Sequence, residues 1–243
     1  MVKRSFACLL LSSSAIGAAL VPSMPSHAAP PQNASTLLKQ SIARMKTLRT
    51  VHGEAYLQGG RTNLRISGDC EGQVPLLQGK KRPHYSFRTN SWARGTLKLS
   101  GKRPQRVDDH LIEILSGGTT ALWERTPATH GVWRPLKLSN DRPLVNLAYT
   151  SELCDPLFAN SFHFPVGSGW KDMGTIAFHG NRVRWVQMKA NAGGGTQQIG
   201  SIDIDPRTLY WVHFQLTQTH PRSLESFDFS RFNAPVTITA PQT

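Results

Sequence analysis

The last third of the chain, from Met173 to the C-terminus, restricts the fold most. It reads as short strands divided by turn signals. Asp172–Phe178 runs into His179-Gly180-Asn181, a turn able to supply positive φ. Arg182–Ala190 follows, with Val183 and Trp185 on one face and Val186 and Met188 on the other. Gly193–Gly195 is a flexible loop between strands, and Ile199–Ile204 is the next strand. Asp205-Pro206-Arg207-Thr208 has the residues of a type I turn, with Pro second. Leu209–Leu216 is predicted to be the longest strand, with Tyr210, Val212, Phe214 and Leu216 on one face and Leu209 and Trp211 on the other. A closing segment, Phe227–Pro241, completes the run. Connections this short demand antiparallel order, because parallel neighbours need a long crossover.

Upstream, Ser35 or Thr36 is placed to cap a helix running to about Arg49, whose Leu38, Ile42 and Met45 form one apolar stripe. That stripe fits a core face packed on a sheet, and it also fits one wall of a ligand cavity. Val51–Gln58 and Thr62–Ile66 read as a hairpin joined by Gly59-Gly60. Residues 67–83 read as loop. His84–Arg88, Gly95–Leu99, Leu111–Leu115 and Thr119–Arg125 read as further strands. Val132–Leu138 would suit only an edge or a bulge because of Pro135. Pro143 begins a second short helix, Leu144 to about Tyr149. Many strands with two helices predict an α+β fold: a strongly curved antiparallel β-sheet, a half-open barrel, with helices packed on the concave side.

Three pieces in sequence carry a family resemblance: Gly174–Ala190, the D-P-x-T turn with its flanks from Ile204 to Phe214, and F-x-x-F-N-x-P-V-x-I-x-A-P from Phe229 to Pro241. Their order and spacing resemble the end of LolA-like lipid-carrier proteins, especially the LppX/LprG-type branch. The resemblance implies a helix packed inside a curved sheet. It also implies an apolar interior that holds lipid or lipoprotein acyl chains without covalent bonds or cofactor.

Met1–Ala29 has the form of a secretory signal peptide: Lys3 and Arg4, an apolar stretch from Leu9 to Val21, and small residues before a cleavage point. Residues 30–243 would then form one exported domain, periplasmic or secreted, soluble or peripheral, and monomeric. Cys8 lacks the small-residue motif that precedes a lipid-bearing cysteine, a departure from many LppX/LprG-type proteins. Cys70 and Cys154 survive processing; either they are bridged, as export favours, or they are two buried thiols.

The formal net charge is +13, and its excess lies early in the chain. Between Lys80 and Arg106 there are nine basic residues and no acidic one, including Lys80, Lys81, Arg82, Lys102, Arg103 and Arg106. Export and the lack of a recognisable motif argue against nucleic acid. An anionic membrane surface or headgroup fits this stretch, as does a solvated basic face.

Motifs of hydrolases, redox thiols and phosphate loops are absent. Asp108-Asp109-His110 with Glu113 is the densest polar cluster, readable as a metal site, as an acid–base pair, or as a solvated turn at a strand entry. No residue is assigned a catalytic or metal-binding role. The residues predicted to touch lipid are Leu38, Ile42 and Met45, Leu144 and Leu147 on the second helix, and Val186, Met188, Val212 and Phe214 on the sheet. The function expected is non-enzymatic lipid binding and carriage or presentation in the cell envelope. The alternative is an envelope sensor of the same fold that binds a protein partner; a hydrolase using Asp109 and His110 is a third reading.

Overall fold

A computed structural model describes residues 33–73, 86–98, 103–116, 119–136, 153–154, 169–193 and 195–242. The signal segment, the predicted second helix with Leu144 and Leu147, and Lys80, Lys81, Arg82 and Lys102 lie outside the described residues.

Helix α1 spans Ala34–Met45. Its cap is Asn33 rather than Ser35 or Thr36: the Asn33 Oδ1 accepts the Ser35 N–H at 2.9 Å. The helix ends at Met45, short of Arg49. The Thr47 hydroxyl donates to the Arg44 carbonyl at 2.7 Å, and the Thr47 and Leu48 amides bond three residues back, which tightens and closes the last turn.

The strands are β1 (Thr50–Gly59), β2 (Thr62–Gln73), β3 (Ser86–Leu97), β4 (Gln105–Ser116), β5 (Thr119–Arg125), β6 (Arg134–Pro135), β7 (Lys171–Phe178), β8 (Asn181–Gly193), β9 (Thr196–Ile204), β10 (Trp211–Thr219) and β11 (Arg222–Ser230). They form a single sheet in the order β6-β5-β4-β3-β2-β1-β11-β10-β9-β8-β7. Every pairing is antiparallel. Two meanders, β1–β6 and β7–β11, are joined where β1 lies against β11. Among the described residues the sheet is not closed: β6 and β7 are its edges, and Pro135 sits on the edge strand, where its missing N–H costs no ladder bond.

Several predicted boundaries are corrected. The segment expected to be loop from residue 67 continues β2 to Gln73. Gly68 there marks close backbone approach rather than a break, since an added Cβ would lie 2.7 Å from the Asn90 carbonyl oxygen. The two strands expected at His84–Arg88 and Gly95–Leu99 are one, β3; its polar centre, Thr89-Asn90-Ser91, is held in the ladder by β2 and β4 on either side. The closing segment is strand only to Ser230. Beyond it Arg231 and Asn233 take positive φ, and the Asn233 amide donates to the Thr50 carbonyl at 2.9 Å, so the chain leaves the sheet.

The predicted turns are present. His179 and Gly180 both have positive φ between paired Phe178 and Asn181. At Asp205–Thr208 the Leu209 amide bonds to the Asp205 carbonyl at 2.8 Å, an i→i+4 closure one residue wider than a type I turn. Strand β10 starts at Trp211, and a bulge at Val212 resets its phase. Trp211 therefore shares a face with Phe214 and Leu216, opposite to the simple alternation expected from Leu209 onward.

Candidate ligand-binding face of the sheet

Register divides the sheet's side chains into two sets. The inner, concave set carries Val51, Ala55 and Leu57 of β1, Leu64, Ile66 and Cys70 of β2, and Phe227 and Phe229 of β11. It continues through Phe214 and Leu216, Ile202 and Ile204, and Val186 and Met188. Strand alternation puts these residues on one side, and their burial removes that side from water.

Helix α1 lies on this face. The Ser41 hydroxyl donates to the Leu209 carbonyl at 2.6 Å, the Trp211 amide points to the Met45 sulfur at 3.4 Å, and the Arg44 guanidinium sits 5.4 Å from the Tyr210 ring centre. A second piece is held by the Cys70–Cys154 disulfide, with Cα atoms 5.5 Å apart; of the two states left open by the sequence, the bridged one is present. Leu153 beside it lies over Gly53, where an added Cβ would come within 3.1 Å of the leucine Cδ2.

Among the residues predicted to touch lipid, Leu38, Met45, Val186 and Phe214 are buried in one core cluster, and Ile42 and Met188 pack against it half-buried. Val212 stands at the bulge, half-buried and out of phase with Phe214. Leu37 and Ser41 share the buried face of α1 and were not in the predicted stripe. Arg103 and Arg106 are exposed. From the same basic stretch, Arg94 bonds to Asp108 at 3.0 Å and Arg88 donates to the Ile238 carbonyl at 3.1 Å, so neither is a bare surface charge.

The polar cluster of β4 is split by the pleat. Asp109 and Glu113 fall with Val107 and Leu111 on the inner face, while Asp108 and His110 fall on the outer. Asp109 and His110 therefore do not form an acid–base pair. His110 stacks on Trp92 with ring centres 3.9 Å apart and meets Trp133 at 4.5 Å. Burial, then the nearby Arg125 cation, lowers its pKa to about 4. The neutral ring accepts from Arg125 Nη2 at Nδ1, 2.8 Å away, and donates from Nε2 to Asn90 Oδ1 at 2.5 Å. Both nitrogens are occupied, so the ring is a packed structural group. Elsewhere on the outer face His52 bonds Asp69 at 2.8 Å and His213 bonds Asp228 at 2.5 Å. Among the described residues no three His, Cys, Asp or Glu are arranged to hold a metal.

The inner face of β3 and β4 differs from the rest. Thr89 and Ser91 are each 1% exposed and Glu113 is 7% exposed. Thr89 lies directly opposite Glu113, and Ser91 opposite Leu111. Thr89 Oγ1, Ser91 Oγ and Glu113 Oε2 have no hydrogen-bonding partner among the described residues. Burial pushes the Glu113 carboxyl up to about 7. The sequence holds a signal for this residue: Val107, Leu111 and Leu115 share its two-residue phase, with Asp109 and Glu113 set between them, so acids alternate with apolar residues along one face.

At the far end of the sheet, the β1–β2 and β10–β11 turns border a cleft of about 1050 Å³ lined by Gln58, Arg61, Asn63, Gln218 and Arg222. Its polar walls are unlike an acyl-chain site.

No family model matches the chain, and no curated protein matches its sequence. Solved structures do. The chain is similar to LprF from Mycobacterium bovis, with TM-score 0.59 and 16% identity over 88% of this chain and 99% of that one. It is also similar to the lipoprotein LppX of Mycobacterium tuberculosis, with TM-score 0.45 and 14% identity over 85% and 98% of the two chains. The wide antiparallel sheet with α1 on its concave side, together with the likeness to LprF over nearly all of both chains, shows that the chain has the fold of LprF.

Proposed function

We propose that this chain is an exported protein that holds a lipid or lipid-tailed molecule against the concave face of its sheet and carries or presents it in the cell envelope. The observation that carries the reading is a mismatch of size. Helix α1 has 12 residues, a length of roughly 18 Å. The eleven strands extend roughly 50 Å across the sheet. Among the described residues, a helix this short accounts for only a fraction of what shields from water an inner face whose apolar residues run from β8 through β1 to β4. Acyl chains suit such a surface, since each buried methylene contributes about 0.8 kcal/mol.

The disulfide fits an oxidising compartment outside the cytoplasm. No helix among the described residues is long and apolar enough to cross a membrane. Exposed Arg103 and Arg106, with Lys80, Lys81, Arg82 and Lys102 of the same stretch, supply charge for docking on an anionic membrane.

Native mass spectrometry of the purified protein, followed by solvent extraction, tests the reading. A co-purifying lipid near unit stoichiometry is the expected result. Absence of bound lipid, together with failure to take up a fluorescent phospholipid, overturns it in favour of a filled core.

A further inference from the structure

We propose that Thr89, Ser91 and Glu113 form a recognition site for a hydroxyl group of an uncharged amphiphile, set inside the apolar inner face. The inference rests on the lipid-binding reading and specifies what part of the ligand the protein recognises.

Three buried polar side chains on two neighbouring strands share one side of the sheet. Thr89 and Glu113 are directly paired, and Ser91 is the next residue of β3 in phase with Thr89. Each presents a buried oxygen with no partner among the described residues. Buried polar atoms in folded proteins are bonded to protein or to ordered water, so three orphans together mark a place for water or for a ligand hydroxyl that takes its role. Gly68 of β2 pairs with Ser91 and Gly53 of β1 pairs with Gly68, so on that side of the serine neither strand carries a side chain, while Leu111 of β4 flanks it on the other.

The chemistry of the set selects the guest. Hydroxyls of Thr89 and Ser91 both donate and accept. A buried Glu113 whose pKa is about 7 offers a donor and an acceptor near neutrality. No Lys, Arg or His occupies the inner-face positions of β3 and β4, while Asp109 lies there with Glu113. Among the described residues of β3 and β4 no inner-face cation is placed to receive a phosphate or carboxylate, which disfavours an anionic guest. An alcohol both donates and accepts, and it brings no charge to bury.

The test measures binding of four oleoyl probes to the full purified protein, each in competition with a fluorescent fatty-acyl probe. They are 1-oleoylglycerol, methyl oleate, oleate and oleylamine. The glycerol ester is expected to bind roughly ten-fold or more tightly than the methyl ester, as a site built for a hydroxyl rejects analogues without it. Ser91→Ala and Thr89→Val, both small changes that a β-strand tolerates, should each reduce that preference to within about two-fold. Glu113→Gln, which keeps a donor and an acceptor, should retain part of it. Tyr56→Ala on the outer face should leave it intact. Equal affinity for glycerol and methyl esters, tightest binding of oleate or oleylamine, or an undiminished preference in Ser91→Ala and Thr89→Val overturns the proposal while leaving lipid binding standing. Failure of all four probes to bind overturns both readings.

Discussion

Arg184 of β8 and Asp172 of β7 form an ion pair buried on the concave side, their side chains 9% and 6% exposed. Asp172 also accepts the Gly174 amide at 2.9 Å, which fixes the carboxylate near a shift in the β7–β8 register. Breaking a buried pair from one side leaves an uncompensated charge. Asp172→Ala is therefore expected to cost about 3–5 kcal/mol. The double replacement Asp172→Leu with Arg184→Leu should recover much of that loss, because two apolar side chains need no counter-charge. Urea unfolding of the three variants checks this, and a double variant no more stable than Asp172→Ala would contradict it.

The Cys70–Cys154 bridge closes a loop of 84 residues and ties Leu153 onto Gly53. In the chain-entropy description a loop of this length contributes about 4.5 kcal/mol. Cys70→Ser with Cys154→Ser is expected to lose an amount of that order in urea unfolding. Adding reductant to the native protein should reproduce the loss and have no effect on the double variant. A midpoint that does not move on reduction would show that the bridge does not constrain the unfolded chain.

The antiparallel meander was legible because its turns announce themselves: His179-Gly180 supplies two positive φ angles and Asp205-Pro206 starts a side-chain-bonded turn. Pro135 correctly marked an edge. Long-range facts were not legible. The pairing of β1 with β11 joins distant parts of the chain, and the cysteine bridge depends on a Cα separation that no local pattern encodes. A single bulge at Val212 reversed the face of Trp211, since any one-residue slip flips every side chain before it. Polar Thr89-Asn90-Ser91 concealed the middle of β3, because strand propensity gives way to pairing on both edges. For the site, the helix stripe was readable from its spacing. Glu113 was obscured because Asp108, Asp109 and His110 look like one cluster until the pleat divides them.

Glu113 and His110, three residues apart on β4, face opposite sides and should pull stability in opposite directions with pH. Glu113 rises from 4.5 to about 7 on folding, so the native state holds its proton more tightly than the unfolded chain. Its contribution is full below pH 4.5 and is lost as pH climbs to 7, about 3 kcal/mol in all. His110 falls from 6.5 to about 4, so the native state resists protonation. Its contribution is full above pH 6.5 and is lost as pH falls toward 4. Between roughly pH 4.5 and 6.5 the two slopes oppose each other and the wild-type profile is flattened. Glu113→Gln should remove the decline toward pH 7 and leave a profile that falls only on the acid side. His110→Gln should do the reverse. Urea unfolding at half-unit pH steps reads both slopes, and a Glu113→Gln profile parallel to wild type between pH 4.5 and 7 would show that the carboxyl is solvated in the folded protein.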